Sequence, residues 1–188
     1  MRDERIDVLV ETPGGSRQRY EYDPEREALR LDRRLPSAAV YPADYGFVAD
    51  ALGPDGEALD AMVLVHEPTF PGCWVLARPI GVVWLAHEDG RDAKILAVPE
   101  DDPDWADVGD IDDVEGQLRE EITRFFAVYC TLGPGRARRL DGEDGRHAAV
   151  AVIADARRRA WEVEARRASD DDDVWLDESA AGPGDLVI

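Results

Sequence analysis

The 188-residue sequence has few cysteines and no long apolar run. No uninterrupted apolar stretch approaches the roughly 20 residues that a membrane-spanning helix needs. Charges interrupt the first residues, MRDERIDVLV, where a signal peptide would have an apolar core. The two cysteines, Cys73 and Cys130, form neither a CxxC pair nor a Cys/His ligand pattern, which argues against a disulfide framework and a zinc site. We therefore predict a cytoplasmic protein that does not bind membranes and holds any cofactor through oxygen atoms.

Positive charge is also scarce. The chain has 42 acidic against 22 basic residues, a formal net charge of −20, and Lys94 is its single lysine. Nucleic acid is not expected as a partner, because affinity for it depends on Lys and Arg neutralising phosphates. A polyanionic substrate would need metal cations between itself and so acidic a protein. The P-loop, GxGxxG, HExxH and GxSxG motifs are absent, which excludes the commonest nucleotide, protease and esterase classes.

Short apolar runs fill the first part of the chain. Runs with β-like alternation or β-branched residues, separated by turn-forming residues, cover 6–11, 18–23, 28–32, 61–65, 73–86 and 93–99. No helical pattern lies between them. This order favours a small antiparallel barrel over a parallel sheet.

Two helices are predicted after these strands. An apolar stripe at helical spacing marks the first, at Leu118, Ile122, Phe125, Phe126 and Tyr129. The second is predicted over about 147–167, and the acidic segment 100–114 before both is expected to be a solvated excursion. The sequence thus predicts one domain over residues 1–167 and an acidic tail, 168–188. The consecutive aspartates of that tail favour disorder.

Carboxylates cluster in two turns between apolar runs. In PDGEALD the side chains of Asp55, Glu57 and Asp60 can converge on one side, and in HEDGRDAK (87–94) further acids precede Lys94. Hard divalent cations prefer oxygen ligands of this kind. Taken alone, however, each cluster favours an ordinary solvated turn.

Hydrogen-bond donors for phosphate accompany the carboxylates. Tyr41 and Tyr45 lie just before the first cluster, and LDRRL (31–35) precedes them. A site that combines metal-binding carboxylates with Arg, Lys and Tyr suits a phosphoryl group, whose oxygens accept from cations and hydrogen-bond donors together. The tyrosines fit an apolar core equally well.

Seven segments resemble, in order and spacing, the soluble family I inorganic pyrophosphatases: VETPGGSRQRYEYD, LDRRL, YPADYGF, DGEALDAMVLV, FPGCWVLARPIGVV, EDGRDAKILAVP and RFFAVY. The resemblance covers about residues 6–131. It implies an α+β fold in which a small antiparallel, OB-like five-stranded β-barrel carries two helices on its outside. It also implies metal-dependent hydrolysis of inorganic pyrophosphate to two phosphates, Mg²⁺ as cofactor, and a homo-oligomer that is a hexamer in most bacteria.

The same resemblance assigns roles to individual residues. The implied catalytic residues are Glu57, Arg33, Tyr45 and Lys94. The implied substrate-binding residues are Arg19, Arg33, Tyr45, Lys94 and Tyr129. The implied metal ligands are Glu21, Asp55, Asp60, His87 and Asp92. Glu11 is also expected to line the site.

Three positions depart from the family pattern. Glu57 stands where the family has the Asp that acts as base for the attacking water, His87 replaces a metal-binding Asp, and Cys130 replaces a phosphate-binding Lys. The longer Glu side chain displaces its carboxylate by roughly 1 Å, and imidazole suits Mn²⁺ or Co²⁺ better than Mg²⁺. Two main interpretations follow. The chain is a pyrophosphatase of reduced activity or altered metal preference, or it is a degenerate paralogue that serves as a binding or assembly subunit. A third interpretation is that it hydrolyses another phosphoanhydride.

Overall fold

The computed structural model describes residues 4–35, 39–132 and 138–178. Within them the strands are β1 (Ile6–Thr12), β2 (Gln18–Asp23), β3 (Ala28–Arg34), β4 (Asp44–Leu52), β5 (Ala58–Val63), β6 (Trp74–His87), β7 (Gly90–Pro99) and β8 (Arg139–Gly145). The α-helices are α1 (Gly116–Leu132) and α2 (Arg146–Glu178). None of the described helices is long and apolar enough to cross a membrane.

Five strands close into a barrel. Their order is β1, β4, β5, β7 and β6, and β6 pairs back with β1, where Ile6 lies opposite Ala77. All pairs in this ring are antiparallel except β5 and β7, where Met62 lies opposite Leu96 in parallel register. The parallel pair arises because β6 carries the chain back before β7 returns in the direction of β5. The predicted OB-like five-stranded barrel with two helices is confirmed, and the parallel pair is the one departure from a wholly antiparallel ring.

Two further pieces of sheet lie beside the barrel. The hairpin of β2 and β3 forms a separate two-stranded sheet, and β8 adds to the outer edge of β6. Along β8, Leu140 lies opposite Leu85 and Arg139 opposite Ala86. These additions bring residues from distant parts of the sequence to the same side of the barrel.

The helices pack on the barrel through the apolar stripes that the sequence contains. Ile122 and Phe126 of α1 are fully buried in one core cluster, and Ala149 and Ile153 of α2 are buried in a second. Burying large apolar side chains stabilises such contacts by about 1.5–3 kcal/mol for each side chain. The two helices therefore fix the outer walls of the molecule.

The segment 100–114 is not the solvated excursion that its acidity suggested. It forms two single-turn 3₁₀ helices, and the side chains of Trp105, Ile111 and Val114 are buried against the core that contains α1. The acidic residues cap these turns; Asp110, for example, begins the second one as its N-cap. The apolar residues between the acids, rather than the charge, determine where this segment lies.

Helix α2 continues beyond its predicted end near 167 and runs through Glu178. The sequence has no Gly or Pro between 168 and 178, so nothing in it breaks the helical hydrogen-bonding pattern there. Beyond Ala160 the helix leaves the barrel, because Trp161 is 69% exposed and most side chains up to Ser169 are exposed. Residues 179–188 lie outside the described residues, and the division into a domain and a disordered tail stays a prediction.

Candidate active site

A cavity of about 230 Å³ gathers most of the predicted site residues. It is bordered by the turn between β4 and β5, the beginning of β7, and residues of both α-helices. The predicted residues that line it are Arg19, Tyr45, Asp55, Glu57, Asp60, Asp92, Lys94 and Tyr129. These residues span more than a hundred positions of the sequence, so the barrel itself assembles the site.

The turn between β4 and β5 has a fixed backbone shape. The Gly53 N–H donates to the Glu57 carbonyl at 2.7 Å, and the Glu57 N–H donates to Asp55 Oδ1 at 3.1 Å. Gly56 has φ +83°, a left-handed conformation that glycine adopts without strain. A Cβ on Gly53 would lie 2.7 Å from Asp55 Oδ1. The turn thus presents the Asp55 and Glu57 side chains to the cavity.

Asp55, Asp60 and Asp92 line the same cavity, as the family resemblance led us to expect. Asp60 lies in β5 and Asp92 in β7, the two strands that pair in parallel. The binding of metal by these three carboxylates stays a prediction.

Lys94 is a buried cation inside this acidic site. It is 6% exposed, and its ammonium donates to the carboxylate of Asp60. Burial alone would lower the pKa of Lys94, but the charges of Asp60 and Asp92 outweigh burial and raise it. The side chain therefore stays protonated at neutral pH and provides a permanent positive charge in the cavity.

Three tyrosine rings pack against one another next to the cavity. The ring centroids of Tyr41 and Tyr45 are 5.4 Å apart, and those of Tyr41 and Tyr129 are 6.4 Å apart. Tyr41 is fully buried in the core, whereas Tyr45 and Tyr129 line the cavity. Burial, together with the negative charge of Asp60, holds the pKa of Tyr45 well above its ordinary value. Its phenol therefore keeps its proton and remains a hydrogen-bond donor.

The β2–β3 hairpin contributes only part of its predicted set. Among the residues that the structure describes, Arg19 lines the cavity, and Glu21 and Arg33 do not. Arg19 Nη2 lies 3.0 Å from Glu21 Oε1, and Arg30 Nη2 lies 2.7 Å from Glu21 Oε2. Arg33 Nε lies 3.6 Å from Asp32 Oδ2. Glu21 and Arg33 are therefore occupied by ion pairs at the margin of the site.

Glu11 is a partly buried acid near these residues. Its Oε1 accepts a hydrogen bond of 2.7 Å from the Tyr22 N–H. Burial raises the pKa of Glu11 to about 7, and repulsion by Asp60 and Glu21 contributes to that rise. The negative charges of Asp60 and Glu21 thus oppose ionisation of Glu11, whereas the positive charge of Arg19 favours it.

His87 reaches the site only through Asp92. Its Nε2 lies 3.1 Å from Asp92 Oδ1, and it lines a neighbouring cavity of about 270 Å³ rather than the first one. Asp55, Asp92, Arg91 and Arg138 line both cavities. His87 therefore contacts a predicted metal ligand, Asp92, but does not itself line the first cavity.

The structure also adds residues that the sequence did not single out. Arg91, Arg138, Trp84, Asp155 and Arg159 line the first cavity. Arg91 packs on the Trp84 ring, 4.4 Å from its centroid, and Arg159 Nε donates to the Leu52 carbonyl at 2.9 Å. Trp84 and Arg91 lie in β6 and β7, inside segments named above from the sequence, in which neither residue has a predicted role. Arg138, Asp155 and Arg159 lie outside those segments, and their placement depends on α2 and the start of β8 returning to the barrel.

The carboxylates that line the cavity are donors of the type that a hard divalent cation prefers, although among the described residues they are not gathered around one point. Within the described ranges, no three His, Cys, Asp or Glu side chains are gathered closely enough to hold a metal ion. However, three aspartates line one cavity, and the carboxylates of Asp60 and Glu21 oppose ionisation of Glu11. Carboxylate oxygens are the ligands that such cations prefer. The chemistry of the donors therefore suits such a cation, and its binding by these residues stays a prediction.

Known proteins are similar to this chain in sequence. The Pyrophosphatase family, described as inorganic pyrophosphatase, matches residues 8–161. An inorganic pyrophosphatase of Methanosarcina acetivorans is 44% identical over 155 residues, which cover 82% of this chain and 92% of the relative. One of Streptomyces coelicolor is 47% identical over 150 residues, covering 79% and 91%.

Solved structures agree with these relatives. The crystal structure of inorganic pyrophosphatase from Thermus thermophilus has a TM-score of 0.80 to this chain at 37% identity, and covers 85% of this chain and 92% of its own. The family match extends from within β1 over the rest of the barrel, α1 and the first part of α2. The resemblance found in the sequence is confirmed, and the chain belongs to the soluble family I inorganic pyrophosphatases, which are metal-dependent enzymes.

Proposed function

We propose that the cavity described above is where this inorganic diphosphatase hydrolyses pyrophosphate to two phosphates, and that Asp55, Asp60 and Asp92 hold the metal. The observation that supports this most is the convergence of eight predicted polar residues on one cavity. A cavity that combines carboxylates with one buried lysine and two tyrosines has both kinds of partner that a phosphoanhydride needs. A degenerate binding subunit is not favoured, because most of the predicted site residues line this one cavity.

Mg²⁺ is the proposed cofactor, with Mn²⁺ or Co²⁺ as substitutes. When bound by the three aspartates, a divalent cation would polarise a phosphoryl oxygen and lower the pKa of a coordinated water. The repulsion of an ionised Glu11 by Asp60 and Glu21 favours cation binding, since a cation relieves that repulsion. Glu21 and His87 remain predicted metal ligands. Each would have to release a present partner, Arg19 or Asp92 respectively.

The cationic and phenolic side chains bind the substrate in this proposal. Lys94 stays charged, so its ammonium neutralises phosphoryl oxygens, and Tyr45 and Tyr129 donate hydrogen bonds. Arg19 adds a guanidinium from β2. Arg33 is the proposed second guanidinium. To reach the cavity it must leave Asp32, from which its Nε now lies 3.6 Å.

Glu57 is the proposed base. Its carboxylate belongs to the turn beside Asp55 and is exposed, so it can accept a proton from the attacking water. The turn is anchored through backbone atoms at both Gly53 and Glu57, at 2.7 Å. This anchoring limits how far the longer side chain can be retracted, and supports a reduced rate. A homo-oligomer, hexameric as in most bacterial members, and a cytoplasmic location complete the proposal.

Phosphate release from pyrophosphate tests this function. The chain is assayed with Mg²⁺, Mn²⁺, Co²⁺ and Zn²⁺ at equal concentrations, beside Lys94→Met. We expect metal-dependent hydrolysis that EDTA abolishes and that falls by at least about 100-fold in Lys94→Met, a loss of about 2.7 kcal/mol of transition-state stabilisation. A folded chain that is inert with every metal would instead support the binding-subunit interpretation.

A further inference from the structure

Next to Tyr129, which lines the cavity, stands a neutral residue where the resemblance leads us to expect a cation. Cys130 directly follows Tyr129 on α1, at the position of a phosphate-binding lysine in the family pattern. Burial raises the pKa of the Cys130 thiol, so at neutral pH it carries no charge. Unless another cation replaces the lysine, one phosphate charge of the substrate is less compensated.

The start of β8 places a guanidinium in the cavity, beside Asp92. Arg138 immediately precedes β8, and the next residue, Arg139, lies opposite Ala86 of β6. Ala86 in turn lies opposite Arg91 of β7, one residue before Asp92. This double pairing places the start of β8 two strands away from Asp92. The Arg138 side chain spans that distance, with Nε 3.4 Å from Asp92 Oδ2.

Arg138 shares the cavity wall with the other substrate-binding groups. It lines the cavity together with Lys94, Tyr45 and Tyr129. Its positive charge acts on the Cys130 thiol, where it opposes the effect of burial on the pKa, as the charge of Lys94 also does. Arg138 and Lys94 therefore both lie close to position 130.

We propose that Arg138 is a substrate-binding residue, which supplies from the start of β8 the phosphate-binding cation that Cys130 cannot provide. The proposal rests on the function proposed above. Its ion pair with Asp92 engages Nε, and a guanidinium carries further N–H donors on its two Nη atoms. Planar, multiple donors suit phosphate better than a single ammonium does. The Arg138 side chain is 43% exposed, so it can change conformation when the substrate binds and when the products leave.

Arg138→Ala tests the proposal, with Arg139→Ala as the matched control. Arg139 is the next residue, but its Nη1 lies 2.6 Å from Asp141 Oδ1 and its side chain is 71% exposed. We expect Arg138→Ala to raise KM for pyrophosphate and to lower kcat/KM by at least about tenfold, which equals 1.4 kcal/mol. Arg139→Ala should stay within about twofold of the parent.

Restoring the lysine provides a second readout. Cys130→Lys in the Arg138→Ala background should recover most of the lost kcat/KM, because the cation returns from α1. The same Cys130→Lys change in the unmodified chain should have little effect, since Arg138 already supplies the phosphate-binding cation. This non-additivity is the signature of two groups that fill one role.

A merely structural role for Arg138 gives different results. If Arg138 only neutralises Asp92, its removal lowers the metal concentration needed for half-maximal activity and leaves KM for pyrophosphate unchanged. That outcome, or equal behaviour of Arg138→Ala and Arg139→Ala, would overturn the proposal.

If the unmodified chain does not hydrolyse pyrophosphate, the proposed function fails. The role of Arg138 in binding phosphate can then still be tested by calorimetric titration with inorganic phosphate in the presence of Mg²⁺. Phosphate binding that weakens in Arg138→Ala but not in Arg139→Ala supports it. Equal affinities in the two variants would overturn it.

Discussion

The imidazole of His87 is hydrogen-bonded to the carboxylate of Asp92, with Nε2 and Oδ1 3.1 Å apart. The other carboxylate oxygen of Asp92 lies 3.4 Å from Nε of Arg138. Both oxygens of a predicted metal ligand are thus engaged by groups of the chain itself. A cation that binds Asp92 must compete with these partners or share the carboxylate with them.

Metal preference should therefore depend on His87. We expect Mn²⁺ or Co²⁺ to support more activity than Mg²⁺ at equal concentration, because nitrogen ligands favour the later ions. His87→Asp should raise the Mg²⁺-supported rate and reduce the ratio of Mn²⁺-supported to Mg²⁺-supported kcat/KM by at least about fivefold. His66→Asn is a suitable control, since the His66 ring stacks on Trp105, whereas His87 is hydrogen-bonded to Asp92. A ratio that is the same in His87→Asp and in the parent would contradict the expectation.

Shortening Glu57 should speed the chemical step. A carboxylate displaced by roughly 1 Å can cost about 10²-fold in rate, and the turn around Glu57 is held by the hydrogen bonds to Gly53 and Asp55. We expect Glu57→Asp to increase kcat with Mg²⁺ by about tenfold, and Glu57→Gln to reduce it strongly because the base is removed. Steady-state kinetics of the three proteins measures both effects. A slower Glu57→Asp variant would mean that the turn already places the longer side chain correctly.

Glu11 should make stability fall as pH rises. Its pKa is raised from 4.5 to about 7 in the folded protein, so the folded state holds a proton that the unfolded state loses. The contribution is present in full below about pH 4.5 and is lost as pH rises through about 7. Glu11→Gln, which keeps an acceptor for the Tyr22 N–H, should increase the free energy of unfolding at pH 8 by about 1 to 3 kcal/mol.

Urea denaturation of both proteins at pH 5 and pH 8, in EDTA, checks this prediction. The difference between them should be larger at pH 8 than at pH 5. EDTA matters, because a bound cation would stabilise the charged form of Glu11 and hide the effect. Equal differences at the two pH values would show that Glu11 titrates normally.

The barrel strands rich in apolar residues could be predicted from sequence, and the strands that lack a pattern could not. β8, RLDGEDG, contains two glycines and three acids, and its position is determined by pairing with β6. β4 begins at Asp44, a fully buried acid that reads as a surface residue. Its carboxylate accepts hydrogen bonds from the Gly14 N–H at 2.8 Å and the Thr69 N–H at 2.9 Å. These partners are distant in sequence, so local propensity does not reveal them.

The candidate site divides in the same way. Local turn chemistry and the family resemblance were enough to predict that Asp55, Asp60, Asp92 and Lys94 would meet, and they line one cavity. Arg138 could not be predicted, because its approach to Asp92 depends on the edge pairing of β8. For His87, the sequence indicates the right neighbourhood, but only the side-chain geometry shows that it bonds to Asp92.

Removing the acidic tail should leave the melting temperature nearly unchanged. The side chains of α2 that pack on the barrel end at about Ala160, and most side chains from Trp161 to Ser169 are exposed. We expect a chain ending at residue 168 to melt within about 2 °C of the full chain, because little apolar area is lost. Differential scanning calorimetry makes the comparison. A decrease of several degrees would show that the removed residues, such as Trp175, dock on the folded chain.

The central claim, that the cavity around Lys94 is the catalytic site, is tested most directly by pyrophosphate hydrolysis in Asp60→Asn. Asp60 faces Lys94 and lines the cavity, whereas Asp50 pairs with Arg157 at 2.8 Å and does not line that cavity among the described residues. With Mg²⁺ and with Mn²⁺, we expect Asp60→Asn to lose at least about 10³-fold in kcat, some 4 kcal/mol, while Asp50→Asn stays within about twofold of the parent. An Asp60→Asn protein that hydrolyses pyrophosphate at the parental rate would contradict the assignment of the site.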